Sequence, residues 1–69
     1  QGILIGCGYF SRIHLDAWAR LGDRARITAL CDIDAAAAAA RAGEYGIGKT
    51  YTDYREALEA ERPDFVDVV

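Results

Sequence analysis

The stretch GILIGCGYFS, residues 2–11, runs from an apolar segment straight into glycines, and its reading decides how the rest of the chain is placed. Ile3 to Ile5 is a short continuous apolar run without polar alternation, the composition of a strand buried on both faces. Directly after it the chain begins the pattern G-x-G-x-x-G, with Gly6 and Gly8 in the first two places and Ser11 in the third. The first glycine permits a tight turn out of the strand, and the second lets a diphosphate approach the main chain with no Cβ in the way. The third governs how closely the next helix packs on the strand, a place that alanine also fills. Serine is one oxygen larger, and that oxygen is expected to bond a neighbouring backbone group or the ligand itself. The amides around Tyr9 and Phe10 then open a helix whose unpaired N–H groups and partial positive charge favour an anion.

Working outward, Phe10, Ile13, Ala17, Trp18 and Leu21 fall on one helical face, while Arg12, Asp16 and Arg20 are spaced as an i, i+4 charge ladder. Gly22 stands where a left-handed cap would close that helix. RITALCD predicts a second strand from about Arg26 to Cys31, ending on Asp32. Asp34 is placed to cap a helix through the six alanines at 35–40, with Gly46 as its stop. KTYT is a short, polar third strand suited to an edge. DYRE reads as a capping box, Asp53 accepting from the first turn and Glu56 reaching back, for a helix that Pro63 ends. FVDVV makes a fourth strand interrupted by Asp67. This alternation predicts an α/β fold: a parallel sheet of about four strands with helices on both faces and right-handed crossovers.

Asp32 lies 21 residues past Ser11, near the interval of about 20 at which an acid meets the adenosine ribose hydroxyls of a dinucleotide. A carboxylate there also repels a 2'-phosphate: unit charges about 4 Å apart near a protein surface interact by roughly 4 kcal/mol before salt screens them. No arginine or serine comes immediately afterwards to offset this, and Ile33 is expected to pack near the adenine. The expected cofactor is therefore NAD, with NADP disfavoured. A methyltransferase loop is the weaker reading, because Leu4, Ile5 and Phe10 occupy the places where that pattern carries an acid and a third glycine.

The blocks ILIGCGYFSRIHLDAW, ITALCDID, EYGIGKTYTDYREAL and PDFVDVV resemble the Gfo/Idh/MocA family of oxidoreductases over nearly the whole chain. The resemblance implies a Rossmann domain with a larger α/β domain after it, oxidising or reducing a carbinol on a sugar, inositol or related polyol with NAD or NADP. It further implies that Gly6, Gly8, Tyr9, Phe10, Asp32 and Ile33 lie along the cofactor. The family's Glu-Lys-Pro motif, and the acid and histidine of its second domain, fall beyond residue 69, so no catalytic residue is assigned. Residues 1–69 are expected to be the N-terminal part of the dinucleotide-binding domain, without the substrate domain. The alternative is a binding module that senses NAD or NADH without chemistry of its own.

His14, the only histidine, has no acid near it in the pattern and is expected to pack or lie at the surface. Cys7 and Cys31 read as small buried fillers, and Tyr45, Tyr51 and Tyr54 as packing around the third strand, with contact of one of them to the adenine side as the alternative. Asp67 is expected to be satisfied by local hydrogen bonds. With 8 basic and 11 acidic residues and scattered arginines, there is no basic stripe for nucleic acid. No run is long enough to span a membrane, and no metal-ligand set is visible. Two cysteines without a disulfide framework, and no export signal after Gln1, suggest the cytoplasm. A homo-oligomer is compatible with this reading. The apolar end DFVDVV is expected to be the interior of a sheet that continues.

Overall fold

The computed structural model describes residues 1–69 as four strands and three α-helices in β-α alternation. They are β1 (Gly2–Ile5), α1 (Ser11–Ala19), β2 (Ile27–Cys31), α2 (Ala35–Tyr45), β3 (Thr50–Tyr51), α3 (Tyr54–Glu61) and β4 (Phe65–Val68). All pairings are parallel and the strand order is β3-β2-β1-β4. β3 is the short edge strand that its polar sequence predicts.

The two faces of the sheet are filled from different helices. Leu4, Cys7, Leu15, Leu30, Ala38 and Ala42 form one buried cluster, which places α1 and α2 together on one face. Ile3, Ala29, Cys31 and Ala57 form the other beneath α3. Ile3, Leu4 and Leu30 are completely buried, and each contributes about 2 kcal/mol through burial. Alanines at the α2 contact keep that helix close to the sheet, because no longer side chain holds it off. The chain therefore winds from β1 to β3 on one face, then crosses the other through α3 to reach the far side of β1. β2 and β4 thus flank β1 on opposite sides, and this reversal of strand order makes the C-terminal end of β1 a topological switch point, the usual position of a ligand crevice.

The helix ends obey local chemistry. Asp34 caps α2, its Oδ1 accepting from the amides of Ala36 at 3.0 Å and Ala37 at 3.2 Å, and Gly46 closes it in the left-handed region at φ +67°. Asp53 caps α3 by accepting from the Arg55 amide at 2.9 Å. Glu56 makes no return bond, so only half of the expected capping box forms. α3 stops at Glu61, and Arg62 adopts φ +44° ahead of Pro63, whose ring disfavours helical backbone before it. α1 ends earlier than its apolar spacing suggests. Its cap is Arg20, and Gly22, at φ +58°, enters a separate 3-10 turn, Gly22–Arg24.

The charge ladder expected along α1 is replaced by bonds between helices. Arg12 meets Glu44 of α2 at 3.0 Å, and Asp16 accepts from the Tyr45 hydroxyl at 2.6 Å. Side-by-side packing of α1 and α2 brings partners on the neighbouring helix within reach. Tyr51 binds Glu61 and so ties β3 to α3, whereas Tyr54 is exposed, with Arg55 lying 5.7 Å from its ring centre.

Candidate functional site

The glycine loop leaves β1 at the switch point. Gly6 has φ +100°, and a Cβ there would lie 3.0 Å from the Val69 carbonyl oxygen, so turn and close approach both require glycine. Its amide donates to Cys31 O at 2.8 Å. The next amide, that of Cys7, donates to Asp32 Oδ2 at 2.7 Å, and Asp32 Oδ1 accepts from Asp34 N at 2.8 Å. One carboxylate thus joins the loop after β1 to the turn after β2.

Gly8 differs from Gly6. A Cβ added to Gly8 meets no protein atom within 4 Å, and its φ is not positive. No hydrogen bond in the protein takes the amide of Gly8, Tyr9 or Phe10 as donor. Phe10 is the N-cap of α1 and supplies no side-chain cap. Three consecutive N–H groups therefore stay available at the positive end of a helix, beside open space. Tyr9 and Phe10 are exposed and pack edge to face with ring centres 5.4 Å apart. Ile33, 93 % exposed, stands just past Asp32.

Ser11 is completely buried, and its Oγ donates to Gly8 O at 2.5 Å, the backbone bond expected of it. The structure adds a partner that the sequence did not reveal. Arg41 of α2 donates from Nε to Ser11 Oγ at 2.8 Å and from Nη2 to Gly8 O at 3.3 Å. Its Nη1 meets Glu44 at 2.8 Å. Hydrogen bonding and charge from Arg12, with Arg41 adding to them, hold the exposed Glu44 carboxyl below its ordinary range. A clue lies in the composition of α2: Arg41 is the first charged residue after six alanines, one turn from buried Ala38.

Cys7 and Cys31 are buried and free, as expected of fillers. Burial, with Asp32 and Cys31 adding to it, pushes the Cys7 thiol up to about 11, which removes it from consideration as a nucleophile near neutral pH. His14 and Asp67 depart from expectation. His14 Nδ1 lies 2.8 Å from Asp67 Oδ2, and Trp18 Nε1 donates to the same oxygen at 2.7 Å. The partners of Asp67 are therefore remote in sequence rather than local, because β4 pairs with β1 under α1 and turns Asp67 toward that helix. No group of three His, Cys, Asp or Glu side chains could hold a metal ion. No helix is long and apolar enough to cross a membrane. A cavity of about 520 Å³ opens at the other end of the sheet, among Trp18, Ile27, Tyr45 and Ile47. It faces the beginnings of β2 and β3, away from the free amides.

Residues 2–69 match the family model described as the oxidoreductase family with an NAD-binding Rossmann fold, Gfo/Idh/MocA. The chain belongs to this family. It is 48% identical over 68 residues to a D-apiose dehydrogenase of Paraburkholderia graminis, covering 99% of this chain and 18% of that protein. Its fold is similar to the crystal structure of an oxidoreductase from Agrobacterium radiobacter in complex with NAD+, L-tartaric acid and magnesium. The TM-score is 0.90 at 34% identity, covering 99% of this chain and 20% of that one. The chain thus spans about a fifth of the length of either relative.

Proposed function

We propose that residues 2–69 form the pyrophosphate- and adenosine-binding part of an NAD-dependent dehydrogenase acting on a sugar or related polyol. The observation that carries this reading is Gly8. The fold gives no reason for glycine there, since a Cβ would touch no protein atom, whereas a diphosphate lying on the amides of Gly8, Tyr9 and Phe10 would need that space. Asp32 offers its remaining lone pairs to the ribose hydroxyls while two others hold the Cys7 and Asp34 amides. Ile33, Tyr9 and Phe10 provide apolar surface beside the loop.

When bound, NAD supplies the hydride acceptor. The residues of this chain bind and orient it: the loop amides take the diphosphate, and Asp32 sets the ribose and disfavours a 2'-phosphate. Substrate recognition and proton transfer belong to the remainder of the parent enzyme. The substrate assignment is supported by the kinship with a D-apiose dehydrogenase. Titration of the full-length protein with NADH and NADPH tests the proposal. NADH is expected to bind more tightly, and Gly8→Val to abolish that binding; an unchanged dissociation constant in the variant overturns the assignment of the loop.

A further inference from the structure

The glycine-loop motif explains which amides are free, but not what orients the Tyr9 amide among them. Three donors converge on one acceptor at the back of the loop. Gly8 O receives the Ser11 amide at 3.1 Å, the Ser11 hydroxyl at 2.5 Å and Arg41 Nη2 at 3.3 Å. That carbonyl belongs to the same planar trans peptide as the Tyr9 N–H, and across such a peptide the C=O and N–H point in opposite directions. Holding Gly8 O toward α2 therefore holds the Tyr9 amide away from α2, on the open side of the loop.

We infer that Arg41 and Ser11 form a clasp on the Gly8 carbonyl that presets the loop for a diphosphate, making Arg41 a positioning residue for cofactor binding. The clasp rests on the proposed binding of a dinucleotide at this loop. The geometry goes beyond packing. The Arg41 side chain is only 13% exposed and uses three nitrogens in three directions, on Ser11 Oγ, Gly8 O and Glu44 Oε1. Glu44 is held in turn by both arginines, with Arg12 contributing bonds of 3.0 and 3.1 Å, so the guanidinium plane has little freedom to rotate. Serine in place of the motif's third glycine is integral to the arrangement. Glycine or alanine there would leave Arg41 Nε without this acceptor. The departure from the motif and the arginine inside the alanine-rich helix are thus two halves of one device.

The clasp acts on a ligand only through its diphosphate, which separates it from a general effect on folding. In the full-length protein, ADP-ribose and adenosine are titrated as competitors of NADH against wild type, Arg41→Met, Arg41→Lys and Ser11→Ala. Arg41→Met retains length and apolar contact without donors. The dissociation constant for ADP-ribose is expected to rise about three- to tenfold in Arg41→Met, while that for adenosine stays unchanged. Arg41→Lys is expected to remain weakened, because one ammonium nitrogen cannot stay on Ser11 Oγ and Gly8 O and also meet Glu44 in the way three guanidinium nitrogens do. With Ser11→Ala in place, the Arg41→Met step should have a smaller effect than in wild type, as coupled residues require. Equal loss of ADP-ribose and adenosine overturns the inference, as does unchanged ADP-ribose affinity in both Arg41 variants or full rescue by lysine. If wild type binds neither NADH nor ADP-ribose, the dinucleotide reading falls along with the clasp; if it binds both and the variants match it, only the clasp falls.

Discussion

The imidazole of His14 and the carboxylate of Asp67 meet at 2.8 Å although 53 positions separate them in sequence. The same Asp67 oxygen takes the Trp18 indole N–H at 2.7 Å. Two side chains four residues apart on α1 therefore converge on one atom of β4. Trp18 also stacks on Phe65 at 4.6 Å between ring centres, and the Phe65 ring occupies the space that a Cβ at Gly2 would need. The helix after the first strand is fastened to the last strand by this group.

Removing the shared acceptor should loosen that fastening. Asp67→Ala leaves the Trp18 donor unsatisfied and is expected to destabilise the protein by about 2 kcal/mol in urea unfolding. The effect carries a pH signature. Burial works to raise the Asp67 carboxyl, but hydrogen bonds from Trp18 and His14, with the charge of His14, outweigh it and hold the group below its ordinary value. A depressed folded value means that the electrostatic contribution is present above the unfolded carboxylate range and is lost as pH falls through the folded value. The gap between wild type and variant should be open at about pH 5 and narrow below about pH 4. A gap that persists at its full size in acid would show that the bond does not depend on the carboxylate charge.

The strands, helices and glycine loop were legible in the sequence because each is written locally: apolar runs, caps at Asp34 and Asp53, and the stop at Gly46. The partners of isolated polar residues were not. Nothing beside His14, Asp67 or Arg41 in sequence names their partners, since their bonds depend on β4 pairing beside β1 and on α2 packing beside α1. Asp67 stood out as an intruder in an apolar strand, and the cost of burying an unpaired carboxylate implied a partner, but the local hydrogen bonds expected of it are instead made with His14 and Trp18 on α1. The charge ladder on α1 failed for a related reason: spacing along one helix does not reveal a competing Glu44 on its neighbour.

The cysteines supply a prediction about reactivity. Cys7 is buried and pushed up to about 11, and burial, then the charges of Asp32 and Asp53, raises Cys31 as well. At pH 8 the Cys7 thiolate fraction is then about one in a thousand. Native protein should leave both thiols unreacted with an aromatic disulfide reagent on the timescale in which denatured protein reacts fully. Rapid labelling of Cys7 in the native state, located by peptide mapping, would contradict that burial.

Asp32 is expected to show two roles at once. Asp32→Ala removes the acceptor of the Cys7 and Asp34 amides and the group assigned to the ribose. NADH affinity should fall about tenfold. NADPH should lose less, because the variant also removes charge repulsion, so the preference between the two shrinks. Isothermal titration of both nucleotides against wild type and variant measures this. Equal affinities in wild type would overturn the specificity assigned to Asp32.

Gly6 and Gly8, two positions apart in the same loop, should separate the demands of folding from those of binding. Alanine at Gly6 must adopt φ +100° with its Cβ 3.0 Å from a main-chain oxygen of Val69. Strained backbone and a crowded neighbour together are expected to destabilise the protein by about 1–3 kcal/mol. Alanine at Gly8 meets neither obstacle, and the reduced freedom of the unfolded chain leaves stability unchanged or raised by about 0.5 kcal/mol. Binding should show the opposite pattern for Gly8. Its new methyl group enters the space assigned to the diphosphate, and NADH affinity is expected to fall at least about tenfold, while the melting temperature holds. Thermal unfolding and NADH titration on the two variants give four measurements. A Gly8→Ala protein that melts early, or that binds NADH as wild type does, would show that the open space beside Gly8 is not reserved for the cofactor.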